Sequence, residues 1–265
     1  MSAEPAALKF ERNGSIARLV LDRPAAGNAI DLDMAAALLD AAQRCEADAS
    51  IRCVMLTGAG RMFCAGGDIT AFSAAGEAIP EFLRELATTL HEALMQLARM
   101  RKPLITVVNG PAAGAGLSLA LIGDLVLAAR SAHFSAAYGS LGLTPDGGMS
   151  WWLPRVVGLR RAQEIILTGR RVGAEEAAAL GLATLVVDDA ALAEQAQAYA
   201  QRLAQAPTAA IGAARRLLIE GATRSLGDQL DAEVESIVTA GASAECREGV
   251  AAFLQKRKPD FIGSR

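Results

Sequence analysis

The chain has 265 residues, 52% of them hydrophobic and 21% charged, with a formal net charge of -3. That length and apolar content allow a sizeable core, in one large domain or a domain with an appendage. The slightly negative charge argues against nonspecific nucleic-acid binding while leaving room for a local basic site for a phosphorylated ligand. No apolar run of ~18 residues is free of charges, so no membrane-spanning helix is expected. Residues 1–7 lack a basic stretch followed by an apolar one, so no secretory signal is expected and a cytoplasmic location follows. Cys45, Cys53, Cys64 and Cys246 have neither metal-ligand nor redox spacing. They read as free buried thiols in a reducing compartment, and no metal site is expected.

Residues 7–21 alternate apolar and polar about Asn13-Gly14 and predict a hairpin, ended by Asp22-Arg23-Pro24. A loop of small residues, 25–29, leads to Asp31, which can cap a helix over 32–46. Residues 51–57 read as a buried strand that stops at Gly58-Ala59-Gly60, and Phe63-Cys64-Ala65-Gly66-Gly67-Asp68-Ile69 follows. Residues 69–80 show no period and predict a mobile loop over the site, with Pro80 in the first turn of a helix over 81–100. A second apolar strand, 104–108, runs into the small-residue turn Asn109-Gly110-Pro111-Ala112-Ala113-Gly114-Ala115-Gly116 and a helix over 117–122.

Strands are expected over 124–129, 132–135 and 185–187, a loop over 140–148, and helices over 149–157, 160–167, 174–180 and 190–206, with Gly181 as a stop. Beyond Pro207 no strand pattern survives and alanine-rich amphipathic helices run to Pro259, which places a boundary near Ala206 between a core, 1–206, and a helical segment, 207–265. The class is α/β, and periodicity does not by itself choose the sheet arrangement.

The two glycine-rich turns share a property: each exposes backbone N–H groups just past a strand end, where ligands commonly sit. Either one taken singly is also what a close helix-on-strand crossing requires. Together they can direct two N–H groups at one oxygen, the arrangement that stabilises charge developing on a carbonyl.

Five stretches occur in an order that resembles the crotonase family, the enoyl-CoA hydratase/isomerase superfamily, over nearly the whole chain. They are Leu21-Asp22-Arg23-Pro24 with Asn28-Ala29-Ile30, the turn from Phe63 to Ile69, the turn from Asn109 to Gly116, Leu141-Gly142-Leu143-Thr144-Pro145, and Glu248-Gly249 through Lys256-Arg257. The resemblance implies a spiral of strand-strand-helix units, a C-terminal helical trimerisation segment, and trimers or dimers of trimers. It implies acyl-CoA thioester substrates, coenzyme A being part of the substrate and no further cofactor being needed. By the family pattern the N–H groups of Ala65 and Ala115 bind the thioester oxygen. Ala25, Ala26, Gly66, Gly67, Asp68, Phe253 and Lys256 are the expected coenzyme A contacts, and Asp68 suits a helix cap or turn brace better than catalysis.

The two glutamates of the family's hydratases appear here as Ser118 and Tyr138, neither a carboxylate base. Asp146 matches the working aspartate of several isomerases and of a dehalogenase, and one carboxylate beside a polarised thioester suits proton removal at one carbon and return at another. Pro145, Gly147, Gly148, Met149, Trp151 and Trp152 around it predict partial desolvation, which would make it a stronger base; capping of the following helix is the competing reading. The stretches around Asp146 and the second turn most resemble the phenylacetate-degradation branch of the family, which isomerises a ring-epoxide of phenylacetyl-CoA.

Trp151 and Trp152 suit core packing more than an aromatic pocket. His91 matches the helix on which the family's dehalogenase carries a water-activating histidine, so a hydrolytic use of Asp146 as nucleophile stays open; an exposed or capping histidine is the plainer reading, and His133 reads as structural. Lys256-Arg257-Lys258 also suits a solvated helix end, and the doublets Arg160-Arg161, Arg170-Arg171 and Arg215-Arg216 read as surface or subunit contacts. Hydration of a double bond is an alternative activity. Loss of both hydratase glutamates also admits a catalytically silent scaffold, which the intact turns and Asp146 count against.

Overall fold

Alternation along the first segment produces the expected hairpin, β1 (Leu8–Asn13) paired antiparallel with β2 (Ile16–Leu21). The computed structural model describes residues 6–263, so residues 1–5 of the stretch read for a targeting signal lie outside the described residues. The continuous apolar runs become parallel strands, β3 (Cys53–Gly58), β4 (Leu104–Val108) and β6 (Leu125–Ala129), with β9 (Leu185–Val187) at the edge. The six-stranded sheet runs β1-β2-β3-β4-β6-β9. Every residue of β3 and β4 is buried, as parallel strands covered on both faces require.

Helix α1 (Leu32–Ala47) starts where Asp31 accepts the Met34 N–H, and it packs on α3 (Ile79–Arg99), while α8 (Leu192–Gln205) lies across β2, β3, β4 and β6. The region 69–80 departs from expectation. It is not a loop: α2 (Ile69–Ala75) and a 3-10 turn, Gly76–Ala78, lead directly into α3, with Pro80 in its first turn. The carboxylate of Asp68 accepts the Thr70 and Ala71 N–H groups and so starts α2, and none of that two-turn helix is buried, which is why no apolar period marks it.

A second, three-stranded sheet joins β5 (Ala112–Ala113), β7 (His133–Ser135) and β8 (Val172–Gly173), strands too short to show alternation. Isolated bridges extend it: Cys64 pairs with Ala112, and Gly67 pairs with Ile30. This ladder fixes the two glycine-rich turns side by side. Helices α4 (Ala115–Leu121), α5 (Met149–Val157), α6 (Leu159–Thr168) and α7 (Ala174–Ala179) follow in the expected places.

After residue 207 the described chain is helical: α9 (Thr208–Gly221), α10 (Leu226–Gly241) and α11 (Ala244–Leu254). Arg215 is not a surface residue. Its side chain is 6% exposed, pairs with Asp124 at 2.6 Å and reaches the Leu97 and Met100 carbonyls, so a buried charge is fully compensated and α9 is tied to the core. Helix α10 buries none of its residues and leaves Leu226, Leu230, Val234 and Ile237 in the open. Among the described residues no helix is long and apolar enough to cross a membrane. Cys45, Cys53 and Cys64 are free and buried, with burial pushing the thiols up to about 11, 12 and 12; Cys246 is half-buried.

Candidate active site

The first turn is held from beneath. Asn28, fully buried and left-handed at φ 56°, donates its amide to the carbonyls of Ala59, Met62 and Phe63 while its Oδ1 accepts the Arg23 N–H. Arg23 in turn donates to Ala29 O, pairs with Asp31 at 3.0 Å and with Asp68 at 2.8 Å, so one guanidinium fastens the caps of α1 and α2 together. Burial alone would raise the Asp68 carboxyl; the Arg23 bond and the amides of Ala71 and Thr70 outweigh it and hold the group below the usual carboxylate range. That acid is a structural ion, as its place after a glycine turn predicts.

The two turns touch through backbone. Phe63 and Cys64 N–H groups donate to Pro111 O, Ala113 N–H donates to Cys64 O, and a side chain on Gly116 would lie 2.3 Å from Cys64 O. A side chain on Gly66, at φ 103°, would lie 2.9 Å from Ala113 O and 3.5 Å from the Ala115 nitrogen. Glycine is therefore required at 66 and 116 by close approach.

One expected donor is corrected. The Ala65 N–H is spent on Gly27 O at 2.9 Å, so it is not free for a ligand. The amide two positions on, Gly67, lies past Gly66, whose φ of 103° turns the chain out of extended backbone; it has no hydrogen-bond partner among the described residues, and neither has Ala115. Both line a cavity of about 230 Å³ with Ala65, Gly66 and Gly114. Apolar side chains make up most of the wall, including Phe72, Leu86, Leu90 and Leu143, and Phe72 stacks edge-on to Phe82 at 5.9 Å.

Asp146 stands in the same cavity, its side chain 33% exposed. It is not a helix cap: α5 starts after Gly148 with no side-chain cap bond. Tyr138 Oη donates to Asp146 Oδ1 at 2.5 Å, and Ser118 Oγ donates to the Asp146 carbonyl at 2.9 Å. Burial first, then the Asp146 charge and hydrogen bond, push the Tyr138 phenol far above its ordinary range, so it remains a donor. Ser118 and Tyr138 are not acids and so give no catalytic signal in the sequence; their contribution is visible only once the fold sets them against Asp146.

His91 Nε2 lies 3.6 Å from Asp146 Oδ2 but accepts the Gly147 N–H at 3.0 Å. An accepting nitrogen carries no proton, so this contact is not an ion pair in that tautomer. His91, Gly147, Gly148, Trp151 and Trp152 line a separate cleft of about 500 Å³ rather than the cavity of Asp146. The two tryptophans meet edge-on at 4.5 Å, half-buried, with the Arg155 guanidinium 3.9 Å over Trp151. His133 sits on β7, its imidazole lowered by burial and by Arg171.

The remaining expected contacts stand apart from the cavity. Ala25 and Ala26 form the exposed 3-10 turn that presents the Gly27 carbonyl to Ala65. Phe253, 83% exposed, lies near the end of α11, and Lys256 just beyond it is left-handed at φ 55°. Among the described residues no cluster of potential metal ligands is found.

The family model described as enoyl-CoA hydratase/isomerase matches residues 11–264. The chain is 44% identical over 247 residues to the 1,2-epoxyphenylacetyl-CoA isomerase of Escherichia coli (strain K12), covering 92% of this chain and 94% of that protein. It is 33% identical over 251 residues to 4-chlorobenzoyl coenzyme A dehalogenase-2 of an Arthrobacter species, covering 94% and 91%. Among solved structures, an enoyl-CoA hydratase from Polaromonas sp. JS666 superposes with a TM-score of 0.92 at 34% identity, over 96% of this chain and 98% of that one.

Proposed function

Since the chain belongs to the enoyl-CoA hydratase/isomerase family, we propose that it is an isomerase of acyl-CoA thioesters that works with two backbone donors and one carboxylate. The observation that carries this reading is the placement of two unpartnered amides, Gly67 and Ala115, in one small cavity with Asp146. The thioester oxygen accepts both N–H groups, each such donor being worth a factor of roughly 10²–10³ when aimed at an enolate-like oxygen. The α-carbon becomes acidic; the Asp146 carboxylate takes its proton, the double bond moves, and the same carboxyl group returns a proton two carbons away. Nothing is consumed. A cavity of about 230 Å³ with aromatic and leucine walls suits a compact or ring-bearing acyl group, in keeping with the 44% identity to an epoxyphenylacetyl-CoA isomerase. Phenylacetate breakdown is the corresponding metabolic setting.

Incubation with a 3-enoyl-CoA in heavy water, and separately with ring-epoxidised phenylacetyl-CoA, tests the reading. Appearance of a conjugated thioester with deuterium in the acyl chain, or of the rearranged ring product, is the expected result. Inertness toward a broad acyl-CoA panel would make the chain a binding scaffold instead.

A hydrolytic reading draws on His91, 3.6 Å from Asp146, and on the similarity to a dehalogenase. Against it, the histidine lone pair that would activate water is occupied by the Gly147 N–H. Solvent oxygen appearing in Asp146 after turnover would favour hydrolysis, and an unaltered Asp146 favours isomerisation. For assembly, the exposed apolar stripe of α10 supports self-association, a trimer or a pair of trimers being the form the family resemblance suggests.

A further inference from the structure

The two oxygens of Asp146 have different surroundings. Oδ1 receives the Tyr138 hydroxyl at 2.5 Å, a short bond typical of a hydroxyl donating to a carboxylate. Oδ2 has His91 Nε2 at 3.6 Å, beyond hydrogen-bond reach and with its lone pair already taken by the Gly147 amide. The backbone beneath is pinned as well, by Ser118 Oγ on the Asp146 carbonyl. Among the described residues Tyr138 and Asp146 are the titratable side chains that line the cavity, and His91 approaches Asp146 from the neighbouring cleft.

From this geometry we propose that Tyr138 is a positioning residue that confines proton transfer to a single oxygen, Oδ2 of Asp146. The proposal rests on the isomerase reading and deepens it. A carboxylate free to rotate about its Cβ–Cγ bond can exchange its oxygens between abstraction and return. One held through Oδ1 returns the proton from the atom that took it, on the same face of the substrate. In balance, the C–H bond at the first carbon breaks, an O–H bond forms at Oδ2, and that O–H breaks as the new C–H forms; Tyr138 keeps its own proton throughout. The mostly apolar lining of the cavity slows exchange of the captured proton with solvent, so part of the substrate's own hydrogen reappears in the product.

Tyr138→Phe removes the donor and keeps the ring. The variant is expected to lose roughly 10- to 100-fold in kcat, the worth of a hydrogen bond to a charged group, with KM within about two-fold. Its rate in heavy water should show more solvent deuterium in the product than the parent does. In a crystal structure of the variant without substrate, the Asp146 carboxylate should be turned about its Cβ–Cγ bond or occupy more than one orientation, because the bond that holds Oδ1 has been lost. A carboxylate oriented as in the parent and an unchanged deuterium fraction, whatever happens to kcat, would overturn the proposal. Failure of the isomerase reading alone would appear differently: no turnover by either protein, with the difference in carboxylate orientation intact.

Discussion

Replacing Gly116 by alanine should damage the site through the contact of two backbones. The added Cβ would stand 2.3 Å from Cys64 O, 2.8 Å from Cys64 Cβ and 2.9 Å from the Cys64 carbonyl carbon. Ordinary nonbonded separations are ~3.5 Å, so relief requires about 1 Å of movement. The closest obstruction is main chain, with no rotamer to swing aside. The Cys64–Ala112 bridge and the Ala113 N–H bond to Cys64 O resist that movement on one side, and burial of the whole of α4 resists it on the other. Overpacking of this kind costs about 1–3 kcal/mol, which in a chain of this size lowers the midpoint of thermal unfolding by roughly 2–4 °C per kcal/mol. Moving α4 away carries the Ala115 amide from the Gly67 amide, and a misplacement of ~1 Å is worth about 100-fold in rate. Calorimetry and steady-state kinetics on the same preparation separate the two effects. A variant that unfolds a few degrees early and still turns over at the parental rate would refute the claim that the spacing of these turns governs catalysis.

Asp146→Asn retains the shape of the side chain and its acceptor toward Tyr138 but removes the base; turnover should fall by roughly 10²–10⁴-fold while acyl-CoA affinity, measured by calorimetry, changes only a few-fold. Near-normal turnover would remove Asp146 from the mechanism. Glu248 accepts two bonds from Arg257 and the Asp260 N–H, and chiefly through the Arg257 bond its carboxyl falls from the ordinary 4.5 to about 2. A folded value below the unfolded one means that this anchor is complete above 4.5 and is lost as the pH drops through about 2. Glu248→Gln should lower the protection against hydrogen exchange around residues 257–260 at neutral pH, relative to the intrinsic rate at each pH, to a level no longer sensitive to acid between those limits, and a variant indistinguishable from the parent would show the anchor to be idle. If the uncovered face of α10 joins copies of the chain, as proposed above, Ile237→Asp should lower the sedimentation coefficient toward that of a monomer; an unchanged value would show that this face carries no such contact.

Most of the framework was legible because its signals are local. The apolar runs at β3, β4 and β6 could not be satisfied in water, and Asp31 and Asp68 stand where helices need an acceptor for their first N–H groups. The turn of residues 63–69 and its partner of 109–116 were identifiable by their small residues, and Asp146 by its neighbourhood and its place in a family pattern. What failed were details with no local signature. Helix α2 is too short and too exposed for periodicity to register, and Arg215 looks like any exposed doublet until Asp124 and two carbonyls are found around it.

The amino-acid sequence thus determined that this chain folds as α/β with glycine at the two places where backbones meet, since steric and apolar preferences are read residue by residue. Which amide in the first turn is free was decided only in three dimensions: Gly27, 38 positions before Ala65 in number, takes that residue's N–H and leaves Gly67 facing the cavity. The same holds for Tyr138 and Ser118, whose hydroxyls matter because the fold brings Asp146 against them. Hydrogen bonding is directional and short-ranged, so its partners are fixed by tertiary geometry and not by order along the chain.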